Sequence, residues 1–270
     1  MPTLSRRGKL ELLDRLATNV ALVWKASEDW ATGYRKHPES FERLLRMELR
    51  MERLMRAYLR GAAERSLQWV DWNEYMRRLT EMRTAAAGAR ALVSVDGKDE
   101  VRVLITVVLE QISEAMLSGA DAQETITGIT APDTLSSLID LSARTRAADL
   151  AKGLSDTTLQ RVRDSLSNSL ALGEDIQAAT KRLQDTIADE KRAELIARTE
   201  SVRSYNSGVI DFGKATGAKT KVWEAVPGAC PICTELDGEE VDISDNFSSG
   251  DEGPPAHPNC RCSTYLTYGS

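Results

Sequence analysis

The residues best suited to chemistry crowd the C-terminal part of the sequence: Cys230-Pro-Ile-Cys233, then His257-Pro-Asn-Cys260-Arg-Cys262, with Pro254-Pro255 just ahead of the histidine. Thiolates and imidazoles are soft donors. Two short-spaced clusters joined by a loop are the sequence form of one tetrahedral metal site, because each short spacing lets two side chains reach the same ion. The expected ion is zinc in a structural role. Five candidate ligands, Cys230, Cys233, His257, Cys260 and Cys262, compete for four positions, so one is spare or the site is differently composed. Two other readings stay open: reduced cysteines packed as small hydrophobes, and disulfides formed in an oxidising compartment. No leader speaks for the second. Met1 to Trp24 carries Arg6, Arg7, Lys9, Glu11, Asp14 and Arg15. The strongest apolar stretch, Val101 to Leu109, is broken by Arg102 and is too short for a membrane span, so no membrane contact is expected.

Proton-transfer enzymes usually rely on histidine, and the chain has 2. His257 is committed to the metal cluster or its surroundings, and His37 precedes a proline in a turn, where a surface role is the plainer reading. No Gly-x-Ser-x-Gly elbow is present. Cys260 and His257 read as co-ligands rather than as a nucleophile and its base. His37-Pro-Glu39 with Cys230-Pro-Ile-Cys233 faintly echoes a zinc deaminase, but the separation is wrong and His257 to Cys262 is a nearer partner for the first pair. No catalytic residue is therefore assigned. The rival is a hydrolase, protease or nuclease built on an open metal site among Cys230, Cys233, His257 and Cys260. Arg261, between two ligands, could donate to a sulfur or a carbonyl, or lie in solvent. Arg198 and Glu200 need different partners.

The elements that must position these groups are helices. Low aromatic content and abundant Ala, Leu, Arg and Glu favour them. Leu10, Leu13, Leu16, Val20, Val23 and Trp24 predict a first helix to about Tyr34, stopped by His37-Pro38. Ser40 is the expected N-cap of a long helix reaching about Ala87. On it, Phe41, Leu44, Leu45, Met47, Met51, Leu54, Met55 and Tyr58 share one side, with Arg43, Arg46, Arg50, Arg53 and Arg60 opposite. That arginine face is either a solvated surface paired with nearby acids or a docking strip for an acidic protein or a phosphate backbone. Val101 to Leu117 is helical with Gly119 as its stop, and 125–133 reads as a linker. Further helices are expected over 134–153, 155–172, 174–185 and 189–214, ending at Gly217. Lys221 to Val226 is the one convincing strand.

The expected fold is mainly α: a helical N-terminal region over 1–130, a helical part over 131–217, and a small α+β C-terminal module over 218–270 with a zinc-stapled, loop-rich tail. Charge is uneven. Residues 1–90 hold 18 Lys/Arg against 12 Asp/Glu, whereas residues 222–270 set Arg261 alone against nine acids. A basic head and an acidic tail suggest separate contact surfaces and disfavour one nucleic-acid-binding body.

Ile196-Ala-Arg-Thr-Glu200, Tyr205-Asn206-Ser-Gly208, Trp223, Cys230-Pro-Ile-Cys233, Leu236-Asp-Gly238, Pro254-Pro255 and His257-Pro-Asn-Cys-Arg-Cys262 occur in the order seen in the head-morphogenesis family of tailed bacteriophages, the minor head proteins similar to protein F of phage Mu. The resemblance runs from about Ser155 to Leu266. It implies a structural minor head protein in the virion or procapsid, assembled in the host cytoplasm and placed at or near the portal. It further implies the portal protein and/or major capsid protein as partners, a contact with packaged DNA or scaffold, and a role in packaging or delivery. Some relatives add a toxin or enzyme domain, and with eight residues after Cys262 none is expected here. Some members are described as capsid maturation proteases, a label the residues support poorly and which stays the alternative, with a metal-dependent hydrolase or nuclease.

Overall fold

A computed structural model describes residues 34–81 and 92–269. The expected first helix lies outside the described residues, as does the stretch 82–91. The described residues are mainly helical, 68% of them, with one small antiparallel sheet near the C-terminus.

Helix α1 spans Pro38–Ser66. His37-Pro38 is its start: the Ser40 N–H donates to the His37 carbonyl at 3.1 Å and to His37 Nδ1 at 3.2 Å, and proline at the first helical position loses no hydrogen bond. Ser40 is thus inside the helix rather than its cap. Phe41, Leu44, Leu45, Met51, Met55, Tyr58 and Leu59 are buried at steps of three and four. The helix stops at Ser66 rather than near Ala87. A 3-10 turn, Leu67–Trp69, follows, Val70 turns extended and bridges Val93, and Asp71 caps α2 (Trp72–Thr80) by accepting from the Glu74 N–H at 2.9 Å. Local capping overrides the propensity that suggested one long helix.

Helix α3, Lys98–Thr127, runs straight through Gly119, which is therefore no stop. A Cβ on Gly119 would lie 2.0 Å from the Tyr205 carbonyl oxygen, and one on Gly208 would lie 1.8 Å from that of Met116. The two glycines let α3 and α6 (Glu190–Thr216) touch backbone to backbone. At 30 residues with a window of mean hydropathy 1.4, α3 is long and apolar enough to cross a membrane, which corrects the expectation that no segment is. The same properties mark a core helix, and Leu104, Val108, Ile112, Met116 and Ala120 are buried.

Helix α4, Leu135–Ala171, fuses the two helices expected on either side of Gly153. A helical glycine costs only about 1 kcal/mol, and the buried series Ala143, Ala147, Ala151, Leu159, Val162, Leu166 continues across it. Gly173 (φ 69°) ends this region, and Asp175 caps α5 (Ile176–Ile187) through the Ala178 N–H at 2.8 Å. Gly217 (φ 78°) follows α6.

Strand β1, Thr220–Glu224, lies between β2 (Glu240–Asp242) and β3 (Ser263–Thr267), both antiparallel, with the short helix α7 (Pro231–Leu236) between β1 and β2. The register pairs Lys221 with Val241 and with Leu266. Only β1 was legible, because β2 is short and mostly exposed while β3 follows a loop of proline, glycine and cysteine.

The chain forms two compact units. One gathers the described residues of Met1–Glu52, Gln111–Ala143 and Leu195–Ser270, and holds the sheet and all five candidate ligands; the other gathers the described residues of Arg53–Glu110 and Arg144–Glu194. In the second, Arg65 donates from Nε and Nη2 to both oxygens of Glu100, at 2.6 and 2.8 Å, and the Tyr58 hydroxyl adds a third bond to that carboxylate.

Candidate metal centre

Cys230 ends the loop after β1 and precedes Pro231 at the first position of α7, whose single turn brings Cys233 back beside it. The His257 to Cys262 loop arrives from the other side and runs directly into β3. Cys230 Sγ and Cys233 Sγ lie 3.0 and 3.1 Å from His257 Nε2, and Cys233 Sγ lies 3.6 Å from Cys260 Sγ. Donors that share an ion at about 2.0–2.3 Å fall within about 4 Å of one another, a condition these three pairs meet. The donors form two overlapping groups, Cys230, Cys233 and His257, and Cys233, Cys260 and Cys262, with Cys233 common to both. Cys233, Cys260 and Cys262 are buried, while Cys230 and His257 are half-buried.

The surroundings suit a cation. His257 Nδ1 is 2.8 Å from the Pro258 carbonyl oxygen, an acceptor only, so the ring proton sits on Nδ1 and Nε2 presents its lone pair to the sulfurs. The Cys262 backbone N–H donates to Cys260 Sγ at 3.4 Å. Hydrogen bonds from Cys233 and Cys260 hold the Cys262 thiol below the usual range, with the Val226 backbone and the Trp223 indole assisting. Cys233 moves up, through its own hydrogen bonds to Cys260 and Cys262 and through burial. Burial and the neighbouring sulfurs oppose ionising several of these thiols at once. A divalent ion removes that penalty. The cluster could therefore hold a metal ion. All four cysteines are free thiols, so the disulfide reading is not realised.

Residues given no site role in the sequence reading hold this loop. Asn206 of α6 donates from Nδ2 to the Cys262 carbonyl at 3.2 Å and accepts at Oδ1 from the Thr264 N–H at 2.8 Å, standing in for a neighbouring strand at the start of β3. Thr199 accepts from the Asn259 N–H at 3.1 Å, and Asn259 sits at φ 71°, a left-handed conformation asparagine tolerates. Glu48 of α1 accepts from Arg198 and from Arg261. Arg261 is thus buried against a carboxylate rather than solvated. Glu200 lies 3.5 Å from Arg203, on a different partner from Arg198.

A cleft of about 320 Å³ opens beside the cluster, lined by Val226, Ala229, Cys230, His257, Pro258 and Cys260 among others. His37 is far from any such role: its Nδ1 lies 2.5 Å from Ser40 Oγ at the start of α1, and Ser40 has no solvent exposure, so the pair cannot serve as a nucleophile and base. On the arginine face, Arg46 pairs with Glu42 at 3.6 Å and Arg50 with Glu114 at 2.9 Å, while Arg43 acts electrostatically on Asp121. These local acids favour the solvated reading.

Residues 160–265 match the family model described as Phage Mu protein F like protein, in support of the resemblance read from the sequence. The matched span takes in the end of α4, the Asn206 and Gly208 region of α6, the sheet as far as Tyr265 and all five candidate donors. No curated protein and no solved structure matches the chain.

Proposed function

We propose that a chain whose residues 160–265 match the phage Mu protein F like family serves as a structural minor head protein, acting at or near the portal during head assembly, DNA packaging or delivery. Its partners would be the portal protein and/or the major capsid protein, with packaged DNA or scaffold as further contacts. Assembly would take place in the host cytoplasm and the product would remain in the procapsid or virion.

The observation that carries this reading is the coincidence of the matched span with the five-donor cluster. Zinc is the ion such donors favour, bound by four of Cys230, Cys233, His257, Cys260 and Cys262. Its contribution would be architectural: it would close loops that carry few large apolar residues, and folding free energy would come from metal binding. The cleft beside the cluster favours a second reading, a metal-dependent hydrolase, protease or nuclease with an open coordination position. Five protein donors are more than enough to close the shell, and the first reading is preferred for that reason.

Purified procapsids and virions test the proposal. Labelled chain should be found in few copies at one vertex, the chain should hold close to one zinc, and capsid proteins should keep their sizes when His257 is replaced. Uniform distribution over the shell would refute the portal placement, and a zinc-dependent cleavage of a head protein or nucleic acid would favour the enzymatic reading.

A further inference from the structure

We propose that Glu48 is the positioning residue that couples helix α1 to the metal-binding loop, so that metal binding and the docking of α1 strengthen each other. This rests on the metal reading of the cluster and adds to it a partner within the same unit.

Glu48 has no solvent exposure and lies on the side of α1 that buries Leu44, Met51 and Met55. Arg261 approaches its two oxygens with two parallel N–H groups, Nη2 to Oε1 at 2.8 Å and Nε to Oε2 at 2.9 Å, while Arg198 Nε reaches Oε1 at 3.1 Å. This fork is the strongest geometry available to an arginine and a carboxylate, and it fixes direction as well as distance. Arg198 in turn donates to Asn259 Oδ1, and the Asn259 N–H is held by Thr199. Cys260 therefore sits between two anchored residues, Asn259 tied to α6 and Arg261 tied to α1. Its sulfur can be aimed only as well as those two are held.

Packing alone does not account for a carboxylate here. A buried charge cluster is seldom more stabilising than apolar side chains of the same volume, so its value lies in what it positions. What Glu48 positions is the stretch that brings three of the five donors, His257, Cys260 and Cys262. Groups that orient metal ligands from behind typically contribute 10- to 100-fold in metal affinity. By linkage, a metal that favours the clasped loop must favour docked α1 by the same factor.

The test uses the full chain loaded with zinc, titrated against a competing chromophoric chelator. Glu48→Gln should bind zinc about 10- to 100-fold more weakly than wild type, and Asn259→Gly, which removes one anchor while suiting the positive φ, should weaken it by a smaller factor. Hydrogen exchange over residues 38–52 should quicken when zinc is removed from wild type and should no longer respond in Glu48→Gln. A purely architectural Glu48 would lower the melting temperature of the zinc-free protein and leave zinc affinity unchanged, which would overturn the coupling. If Glu48→Gln does not fold, Asn259→Gly decides, and an affinity equal to wild type sinks the proposal. Wild type that binds no zinc would instead remove the metal reading, and this inference with it.

Discussion

At the scale of single residues, Cys233 is the most exacting position in the cluster, because it alone belongs to both donor groups. A ligand set drawn from either group needs it. Cys233→Ser should therefore lower the zinc content of folded protein further than Cys230→Ser or Cys262→Ser, each of which leaves one complete group. Elemental analysis of the three variants checks this, and equal losses would show that no ligand is shared. Glu48 carries a second lesson. It falls in step with Leu44, Met51 and Met55 on α1, so a charged residue stood within an apolar stripe, and that misfit was the signal available from the sequence.

At the scale of elements, the approach of α3 and α6 depends on Gly119 and Gly208, each facing a carbonyl of the other helix. Gly208→Ala would set a methyl group against the Met116 carbonyl with no flexible side chain to yield. Forced overpacking of this kind costs about 3 kcal/mol, and chemical denaturation should register it; a loss under about 0.5 kcal/mol, the range of harmless surface changes, would mean the helices can separate freely. In the second unit, hydrogen bonds from Arg182 hold the Glu174 carboxyl down to about 2 at the start of α5. A carboxylate with a lowered pKa stabilises fully above its ordinary value and loses that contribution as pH falls through the lowered one. The gap in melting temperature between wild type and Arg182→Ala should then be widest near neutral pH and should close between about pH 4.5 and 2. A gap independent of pH would assign the arginine to packing instead.

At the scale of the whole molecule, zinc removal should separate two kinds of stability. The helices are built on apolar stripes and caps, whereas between β1 and β3 Leu236 and Phe247 are the large apolar side chains that are buried. Chelation should therefore expose residues 225–262 to proteolysis while circular dichroism keeps most of the helical signal; parallel loss of both would mean the metal supports the entire fold. The mainly helical class, the strand β1, the clustering of Cys230, Cys233, His257, Cys260 and Cys262 and the family likeness of the C-terminal span were legible in the sequence, because each is written in local spacing: apolar residues at helical steps, cysteines and a histidine in short-spaced pairs, motifs in a set order. What the chain could not disclose is decided between residues far apart. Whether Gly119 ends a helix or admits a neighbour depends on Tyr205, and whether Gly153 breaks one depends on what its flanking residues bury. Arg261 meets a carboxylate on α1, 213 positions away, and the side chain of Asn206 completes the edge of β3. Period and composition register what a residue prefers among its neighbours in the chain, whereas these outcomes turn on which groups share a buried site, and only the tertiary structure brings those groups together.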